Sequence, residues 1–406
     1  MQIGIFSETS PLRKVITHTP GREVSLVSPE CKDELLFDDI IFEEDAREEH
    51  LNMLDIFKAA MPKDGEVIEI LDLARDCLSV DEQRLDFVET MVRELTHENL
   101  HIVQNDLKEL DADALLRFIV HGRISDDSKF TLLPTPNILF TRDLAAVVGT
   151  QVIVSKAAKA VRARESLLMK MIVRCHPLFS GASKIIEPGS NQSIEGGDVL
   201  VASEHVALIG MSERTSFSGL MSVAEQLLQG DIDHVLAVDI PKKRSSMHLD
   251  TIFTFADKDE CIVYPPAIEQ KTDNVVELFR SGSAIQSRGH KSLQGALEEL
   301  HGHPFHFIRC GGNDPTTQHR EQWTDGANVF ALAPGVIVGY ERNTNTFEEL
   351  HKNGYRVMTQ FEFIGEFGRN GFHPEKEGKI AISFQGHELC RGRGGARCMT
   401  QPILRI

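Results

Sequence analysis

The chain has 406 residues, of which 41% are hydrophobic, so it has enough apolar side chains to bury a substantial core. Its formal net charge of −18 argues against nucleic acid as a partner, because a phosphate-binding surface needs an excess of basic residues. The acidic balance is compatible with a cationic substrate.

The cysteines indicate a reducing compartment. All 7 are scattered, and none forms a C-x-x-C pair, so neither a disulfide framework nor a zinc ribbon is expected. The first residues lack the basic and apolar segments of a signal peptide. No run approaches the roughly 20 apolar residues of a membrane helix. The sequence therefore predicts a cytoplasmic protein without a membrane partner.

The first seventy or so residues predict two strands separated by a helix. Residues 14–20 are typical of a strand closed by a turn, and residues 67–71 of a second strand. Between them, apolar side chains repeat at helical spacing within residues 43–60.

The segment 73–122 differs from its surroundings because it offers helical patterns and no convincing strand. Ser79 with Glu82 three residues later is a capping-box signature. Apolar residues then repeat at helical steps over residues 85–95 and again over residues 115–119. We therefore expect one catalytic domain spanning residues 1–406, with an all-helical domain inserted at 73–122.

After this segment a coarse repeat begins, in which an apolar strand leads through a polar link into a helix. Because self-similarity of this kind favours one structural unit used several times around a centre, a pseudosymmetric fold is one prediction. The alternative is an ordinary doubly wound sheet, and the periodicity alone does not separate the two. The strands start at residues 152, 206 and 336, with links carrying Arg162, Arg214 and Arg342; a weaker copy pairs residues 261–264 with a helix at 275–279.

Two of the polar clusters are acidic. Arg142 and Asp143 follow an apolar run at a predicted strand end, where a plain salt bridge is the simplest interpretation. Glu195 and Asp198 flank two glycines, which allow a sharp turn that keeps both acids near one spot. A calcium loop would need further oxygen ligands at alternating positions, and these are absent.

A third cluster contains His248 and Asp250, which would project from the same face of a predicted strand. A histidine beside a fixed carboxylate is suited to proton transfer. Half of a metal site is the alternative. However, zinc needs about four ligands and the sequence has no H-E-x-x-H motif, so no metal is predicted.

The fourth cluster is the glycine-rich stretch 392–399, in which Cys398 lies between Arg393 and Arg397. Because nearby arginines lower the pKa of a thiol, Cys398 is a candidate nucleophile; a flexible tail with a free thiol is the alternative. Cysteine, histidine and aspartate would also suit a cysteine amidase or peptidase. The further carboxylates instead favour a guanidinium substrate, whose five N–H donors match paired carboxylates.

Taken in order, these clusters resemble the arginine deiminase family of the guanidine-modifying (pentein) superfamily. The resemblance covers nearly the whole chain and implies a five-fold pseudosymmetric α/β propeller with an inserted all-helical bundle. Residues 265–304 match less well, and nothing is assigned to them. The matching segments are 36–39, 140–143, 162–165, 195–198, 212–215, 248–251, 320–328, 334–337 and 393–399.

The resemblance also implies residue roles. Cys398 matches the nucleophile and His248 the general acid and base. The remaining roles are the guanidinium-binding carboxylates Asp143 and Asp250, the histidine-orienting acid Glu195, the substrate-carboxylate ligands Arg162 and Arg214, and the pocket or gating positions Asn137, Phe140, Gly392 and Arg393.

The implied activity is hydrolysis of L-arginine to L-citrulline and ammonia through a covalent thiouronium on Cys398. No metal or organic cofactor is required, the partner is the small-molecule substrate, and a homo-oligomer is compatible with the family. We hypothesise that the reaction needs a protonated His248 together with a thiolate at Cys398. The glycines near residue 394 suit a loop that moves to admit substrate.

Alternatives within the superfamily are agmatine deiminase and amidinotransferase, which share the cysteine, histidine and carboxylates. Agmatine lacks a carboxylate, so Arg162 and Arg214 would have no task with it. A non-catalytic arginine-binding protein is a further alternative, which the presence of all five reactive residues disfavours.

Overall fold

The computed structural model describes residues 3–369 and 371–406. The strands are, in chain order, β1 (Leu12–Thr17), β2 (Glu66–Glu69), β3 (Ala145–Val148), β4 (Gln151–Val154), β5 (Lys184–Ile186), β6 (Val199–Ser203), β7 (Val206–Met211), β8 (His234–Asp239), β9 (Phe253–Phe255), β10 (Glu260–Val263), β11 (Val275–Ser281), β12 (Ala284–His290), β13 (His306–Arg309), β14 (Phe330–Ala333), β15 (Val336–Tyr340), β16 (Arg356–Thr359), β17 (Ile380–Phe384) and β18 (Gln401–Arg405).

The α-helices are α1 (Arg22–Ser25), α2 (Glu43–Ala60), α3 (Ile70–Leu78), α4 (Asp81–Glu94), α5 (Gln104–Lys108), α6 (Ala112–His121), α7 (Ala163–Cys175), α8 (Phe217–Leu227), α9 (Leu293–His301), α10 (Pro315–Trp323), α11 (Thr344–Lys352), α12 (Gln360–Phe367) and α13 (Pro374–Glu377). Across the described residues, no helix is both long and apolar enough to cross a membrane.

The strands form five separate sheets that share one connectivity, so the fold is mixed α/β. In each sheet an antiparallel pair is followed by a helical crossover to a third strand, which runs parallel to the second. Such a crossover is the usual way to join parallel neighbours. The five sets are β3-β4-β5, β6-β7-β8, β9-β10-β13, β14-β15-β17 and β18-β1-β2, with β16 added to the fourth and β11-β12 to the second.

The predicted strand–link–helix repeat is confirmed in three places. β4, β7 and β15 are apolar and largely buried, and they lead into α7, α8 and α11. The predicted helix at 275–279 is wrong, because these residues belong to β11, which pairs with both β8 and β12. A short apolar run does not distinguish a strand from a helix, and here the pairing partners decide.

Between Ile70 and His121 the described chain has helices and 3₁₀ turns but no strand. The helical pattern thus starts three residues before the predicted position 73, while the division into domains stays a prediction. The predicted capping box is wrong. Val80 precedes the first residue of α4, and the hydroxyl of Ser79 donates to the carbonyl of Arg75 at the end of α3.

The feature that places the site is a turn just before the first strand of each sheet. Three are 3₁₀ turns, at Thr141–Leu144, Gly196–Asp198 and Leu249–Thr251. The other two are turns at residues 324–327 and 396–399, which precede β14 and β18. All five turns carry polar residues of the candidate site.

Candidate active site

Hydrogen bonds between the five turns draw them together. Asn328 joins two of them to its own turn: its side-chain Oδ1 accepts from the backbone N–H of Cys398 at 3.0 Å, and its Nδ2 donates to the carbonyl of Asp250 at 2.9 Å. The backbone N–H of Arg142 donates to the carbonyl of Cys398 at 3.1 Å. Side chains from four different sheets can therefore face one space.

His248 is buried among carboxylates. Its Nε2 lies 2.9 Å from Oε2 of Glu195, and its Nδ1 lies 3.5 Å from Oδ1 of Asp143. Burial disfavours the charged imidazolium, but Asp143, Glu195 and Asp198 outweigh it and raise the pKa of His248 to about 9. Conversely, although burial opposes its ionisation, Glu195 has its pKa lowered to about 2 by His248 and two arginines. At neutral pH the proton between His248 and Glu195 therefore lies on the histidine, which is the protonation state that the sequence-based hypothesis requires.

Cys398 is buried too, and its Sγ lies 3.9 Å from Oδ2 and 4.0 Å from Oδ1 of Asp250. Burial raises the pKa of the thiol well above its ordinary value, and the charges of Asp250, Asp143 and Asp325 raise it further. The expected activation by neighbouring arginines is therefore wrong for the unliganded protein. The positive charge of Arg397 lowers the thiol pKa, but less than these acids raise it, because its guanidinium is paired with Glu8 and Asp250.

Each of the two predicted guanidinium-binding aspartates is held by a buried arginine. Oδ2 of Asp143 accepts from Nη1 of Arg162 at 2.6 Å, and Oδ2 of Asp250 accepts from Nη1 of Arg397 at 2.7 Å. Oδ1 of Asp143 has no hydrogen-bond partner in the described residues. Both aspartates are thus fixed through one oxygen, which leaves the other for a ligand.

Nine of the eleven candidates from the sequence line one cavity. Its volume is about 10 Å³, hardly one water molecule, so the cavity is closed. The two others, Glu195 and Asp250, lie just behind its wall, in contact with His248 and Cys398. The lining candidates are Asn137, Phe140, Asp143, Arg162, Arg214, His248, Gly392, Arg393 and Cys398.

The two predicted carboxylate ligands differ in their surroundings. All three side-chain nitrogens of Arg162 are engaged: besides Asp143, it donates to Glu165 at 2.9 Å and to the carbonyl of Asn137 at 3.1 Å. Arg214 has only distant acidic partners, the nearer being Glu195 at 3.8 Å, and its Nε has no hydrogen-bond partner. Of the two, Arg214 is the cation with donors to spare.

Arg393, the predicted gate, is enclosed but weakly held. Its guanidinium carbon lies 3.8 Å from the ring centre of Trp323, and none of its side-chain nitrogens has a hydrogen-bond partner in the described residues. Its backbone adopts a left-handed φ of 65°, which is unfavourable for a residue with a side chain. Displacing this side chain would therefore break no hydrogen bond.

Two local predictions about the site are wrong. Residues 140–143 do not end a strand; they form turns that precede β3. His248 and Asp250 do not share a strand face either, since a 3₁₀ turn begins at Leu249 and β9 starts later. The carboxylate of Asp198 explains this, because its Oδ1 accepts from the backbone N–H of Leu249 at 2.8 Å.

One group of side chains has the spacing of a metal site. Donor atoms of Asp143, Glu195 and His248 lie within 4.8 Å of one another. The guanidinium of Arg162 already lies 2.6 Å from Asp143 and 3.6 Å from Glu195, and His248 is a cation at neutral pH. The charge that a metal would supply is thus provided by side chains.

Sequence reasoning missed several residues that shape the site. Arg244 lines the cavity and binds the carbonyl of Leu36 and the carboxylate of Asp38, which closes one rim. Asn328 had been matched to the family pattern without a role. Its position, two residues before a first strand, is that of Asp143, so the repeat itself carried the signal.

Comparisons with known proteins identify the family. The family model described as Arginine deiminase matches residues 100–405. An arginine deiminase of Listeria monocytogenes is 32% identical over 428 residues, covering 99% of this chain and 98% of the relative.

Solved structures add the fold. An amidinotransferase of the saxitoxin biosynthetic pathway from Microseira wollei has a TM-score of 0.55 at 12% identity, covering 100% of this chain and 98% of that one. A dimethylarginine dimethylaminohydrolase variant, solved as an adduct with S-methyl-L-thiocitrulline, has a TM-score of 0.53 at 12% identity, covering 97% and 100%. By the extent of the family match and of the identity to its members, the chain belongs to the arginine deiminase family.

Proposed function

We propose that the chain is an arginine deiminase that hydrolyses a C–N bond of L-arginine to give L-citrulline and ammonia. The observation that carries the proposal is that Cys398 and His248 face one closed cavity together with Asp143, Arg162 and Arg214. A nucleophile, an acid, guanidinium acceptors and a carboxylate ligand are the groups this reaction needs.

The substrate guanidinium binds between the two aspartates. Asp143 offers its unpartnered Oδ1, and Asp250 offers Oδ1 beside the sulfur. Paired carboxylates hold the planar cation and orient its carbon toward Sγ of Cys398. Because the cavity is closed, the side chain of Arg393 moves off Trp323 to admit the substrate.

Binding of the substrate cation also activates the thiol. The charges of Asp250 and Asp143 raise the pKa of Cys398 in the free protein, and a guanidinium between these aspartates offsets them. The thiolate therefore forms as the substrate binds and its proton passes to solvent, from which the departing ammonia later takes one up, whereas the free thiol stays protonated.

Attack of the thiolate on the guanidinium carbon forms a C–S bond and a tetrahedral adduct. The imidazolium of His248 gives its proton to one nitrogen, the C–N bond breaks, and ammonia leaves a thiouronium on Cys398. The neutral imidazole then takes a proton from water as the oxygen attacks the same carbon. Breaking of the C–S bond releases citrulline, the proton of the new hydroxyl passes to the sulfur, and the proton taken from water leaves His248 protonated for the next turnover.

The substrate carboxylate is bound by Arg214, whose donors are under-used, with Arg162 beside it. Asn137, Phe140 and Gly392 complete the pocket wall. This arrangement favours arginine over agmatine, since agmatine would leave the buried charge of Arg214 without an anion.

The predictions about fold, domains, location and partners belong to the same proposal. The five sheets with one connectivity support a five-fold pseudosymmetric propeller whose turns meet at the site. The helices between Ile70 and His121 form the inserted domain of a single catalytic unit. The protein acts in the cytoplasm on a small molecule, without nucleic acid or membrane, and a homo-oligomer is compatible with this.

The test is to incubate the purified chain with L-arginine and to measure citrulline and ammonia, with Cys398→Ala as the inactive control. Equal amounts of both products are expected. Parallel incubations with agmatine, and with arginine plus an amine acceptor, test the related activities. Product from agmatine alone, transfer to the acceptor, or no product at all would refute the proposal.

A further inference from the structure

A second pocket has in its wall Trp323, whose ring also contacts Arg393 of the candidate site. It has a volume of about 620 Å³, within the range of small-molecule sites. Its walls come from α10 and from the link between β15 and α11. The residues that line it are Thr317, His319, Arg320, Glu321, Trp323, Thr324, Arg342, Thr344 and Asn345.

The repeat of the fold explains why an arginine faces this pocket. Arg162 follows β4, Arg214 follows β7 and Arg342 follows β15, each between a buried strand and the next helix. The first two face the catalytic cavity and have carboxylate partners, whereas Arg342 lines the second pocket. The third copy of the link therefore places its arginine in the second pocket and not in the catalytic cavity.

The positive charges of this pocket are not neutralised. Arg342 donates to the sulfur of Cys390 and has no carboxylate within ion-pair distance in the described residues. The side chain of Arg320 has neither a hydrogen bond nor an ion pair among the described residues. Both arginines are exposed and line one pocket, and neither has an acidic partner among the described residues.

Glu321, the acidic residue of the pocket, already accepts hydrogen bonds from other residues. Both oxygens of Glu321 accept hydrogen bonds, Oε1 from the backbone and side chain of Asn345 and Oε2 from the backbone and hydroxyl of Thr346. Glu321 is also buried, so it does not extend toward the two arginines as a partner. What remains available is two guanidinium groups beside an indole that is 44% exposed.

We infer that this pocket binds a small doubly charged oxyanion, a phosphate group or a dicarboxylate, between Arg320 and Arg342. Guanidinium groups bind both kinds of oxygen pair through two parallel hydrogen bonds. Trp323 forms the apolar wall against which the rest of the ligand packs.

The pocket is also connected to the catalytic cavity through α10. One face of Trp323 carries Arg393, and the neighbouring Gln322 donates to the carbonyl of Thr251 at 3.3 Å, in the turn that follows His248. An occupant of the pocket would therefore contact the same indole that holds the gate. Trp323 is the one tryptophan of the chain, so its fluorescence reports both binding in the pocket and displacement of Arg393.

The experiment titrates inorganic phosphate, and in a second arm succinate, into the full chain without arginine while Trp323 fluorescence is recorded. Sodium chloride at matched ionic strength is the reference. A saturable change that chloride does not reproduce is expected, and the more effective arm identifies the anion class. Quenching of Trp323 by neutral acrylamide should fall at saturation, because the occupant covers the exposed face of the indole.

Arg320→Gln and Arg342→Gln are each expected to raise the midpoint about tenfold, the loss typical of one charge-assisted contact. Arg280→Gln, which removes an exposed arginine on β11, is the matched control and should leave the midpoint unchanged. A response equal to that of chloride, or an unchanged midpoint in both pocket variants, would overturn the inference. Because no turnover is measured, this outcome is independent of whether the chain deiminates arginine.

Discussion

Asp143 and Asp250 lie beside the two reacting groups of the candidate site, His248 and Cys398 respectively, but Asp143 lines the cavity and Asp250 lies behind its wall. Each gives one carboxylate oxygen to a buried arginine, at 2.6 Å from Arg162 and 2.7 Å from Arg397. The other oxygen of Asp143 lies 3.5 Å from Nδ1 of His248, and that of Asp250 lies 4.0 Å from Sγ of Cys398. The two aspartates therefore have the same contact with a buried arginine, but the groups that surround this arginine differ between the two sides.

On the Asp143 side, acids outnumber bases. Arg162 is shared by Asp143, Glu165 and Glu195, so the excess negative charge keeps a proton on His248. Arg162 itself lines the cavity and can meet a substrate.

On the Asp250 side, the arginine belongs to the scaffold. Arg397 is 1% exposed and donates to Asp250, to both oxygens of Glu8 and to the carbonyl of Val199. All three of its side-chain nitrogens are engaged, it does not line the cavity, and the thiol of Cys398 remains protonated. The Asp143–Arg162 pair is thus available to a ligand, whereas the Asp250–Arg397 pair stabilises the fold.

The largest effect is expected from removing the reacting group of either side. Cys398→Ala and His248→Ala should each lower kcat/KM by at least ~10⁴-fold, and the double variant should be no slower, because the two groups act in one step. Steady-state citrulline formation measures this. Cys390→Ala removes a thiol with the same 4% exposure and should keep activity within about threefold. Additive losses in the double variant would mean that the two sides act independently.

The structural role of Arg397 is tested by Arg397→Met. This change leaves Asp250 and Glu8 buried without their main cation, so the free energy of unfolding should fall by ~3–5 kcal/mol. Denaturant unfolding followed by circular dichroism measures it. Arg309→Met, which removes a half-exposed arginine paired with Glu269, should cost less than ~1 kcal/mol. Equal losses in the two variants would show that Arg397 is not a structural anchor.

Neutralising the aspartates separates the two sides most directly. Asp143→Asn and Asp250→Asn should each lower kcat/KM by ~10²–10³-fold, since each removes a ligand of the guanidinium. Because Asp250 is the largest of the charges that raise the pKa of Cys398, only Asp250→Asn should strongly increase thiolate in the free protein. Ultraviolet thiolate absorbance during a pH titration, with Cys398→Ala as blank, reports this. The same thiolate gain in both variants would contradict the proposed division.

The pH profile probes the Asp143 side. His248 has its pKa raised to about 9, so activity should fall as pH rises through about 9 and the imidazolium is lost. Glu195→Gln removes the hydrogen-bonded carboxylate and should move this limb about one unit lower, which is about twofold in rate at pH 8 and approaches tenfold above about pH 10. A kcat/KM that stays flat from about pH 6 to 9 in the unmodified protein would refute a required imidazolium.

The same pair predicts a pH dependence of stability. The raised pKa of His248 contributes stability that is fully present below its ordinary value of 6.5 and is lost as pH rises through about 9. The depressed pKa of Glu195 contributes stability that is present above its ordinary 4.5 and is lost as pH falls through about 2. Glu195→Gln should therefore destabilise the protein most near pH 5 to 6 and little above pH 9.

The comparison also explains what the sequence could predict. The candidate residues of both sides were identified because their types and order match a family pattern, and the structure brings nine of them to one cavity. Arg397 was interpreted through its neighbour in sequence, the thiol, whereas its partners Glu8 and Asp250 lie 389 and 147 residues away. Contacts at such separation leave no local pattern.

The local errors have the same origin. The turn at Leu249 depends on the carboxylate of Asp198, and the strand at Val275–Ser281 depends on pairing with β8. In both cases a short apolar run fits two conformations, and a distant partner selects one. The helix at Glu43–Ala60 was predicted with its observed limits, because it contains enough turns for its periodicity to be unambiguous.

The smallest expected effect concerns the glycines that lie between the two sides. A Cβ on Gly394 would lie 2.4 Å from Cε1 of Phe140, whereas one on Gly392 would lie 3.0 Å from the flexible end of Ile41. Gly394→Ala must therefore displace the Phe140 ring from the cavity wall, and kcat/KM should fall about tenfold. Gly392→Ala should cost less than about threefold, because a side-chain tip can yield.

Denaturant midpoints separate this effect from a loss of folding. If the loop has to move for substrate entry, both variants keep their unfolding midpoints within the range of ordinary surface substitutions while the rate falls, as the sequence led us to expect. Equal kinetics for both variants and the unmodified protein would mean that the stretch before Cys398 is not the moving part. The gate would then have to lie at the contact that Arg244 makes with Leu36 and Asp38.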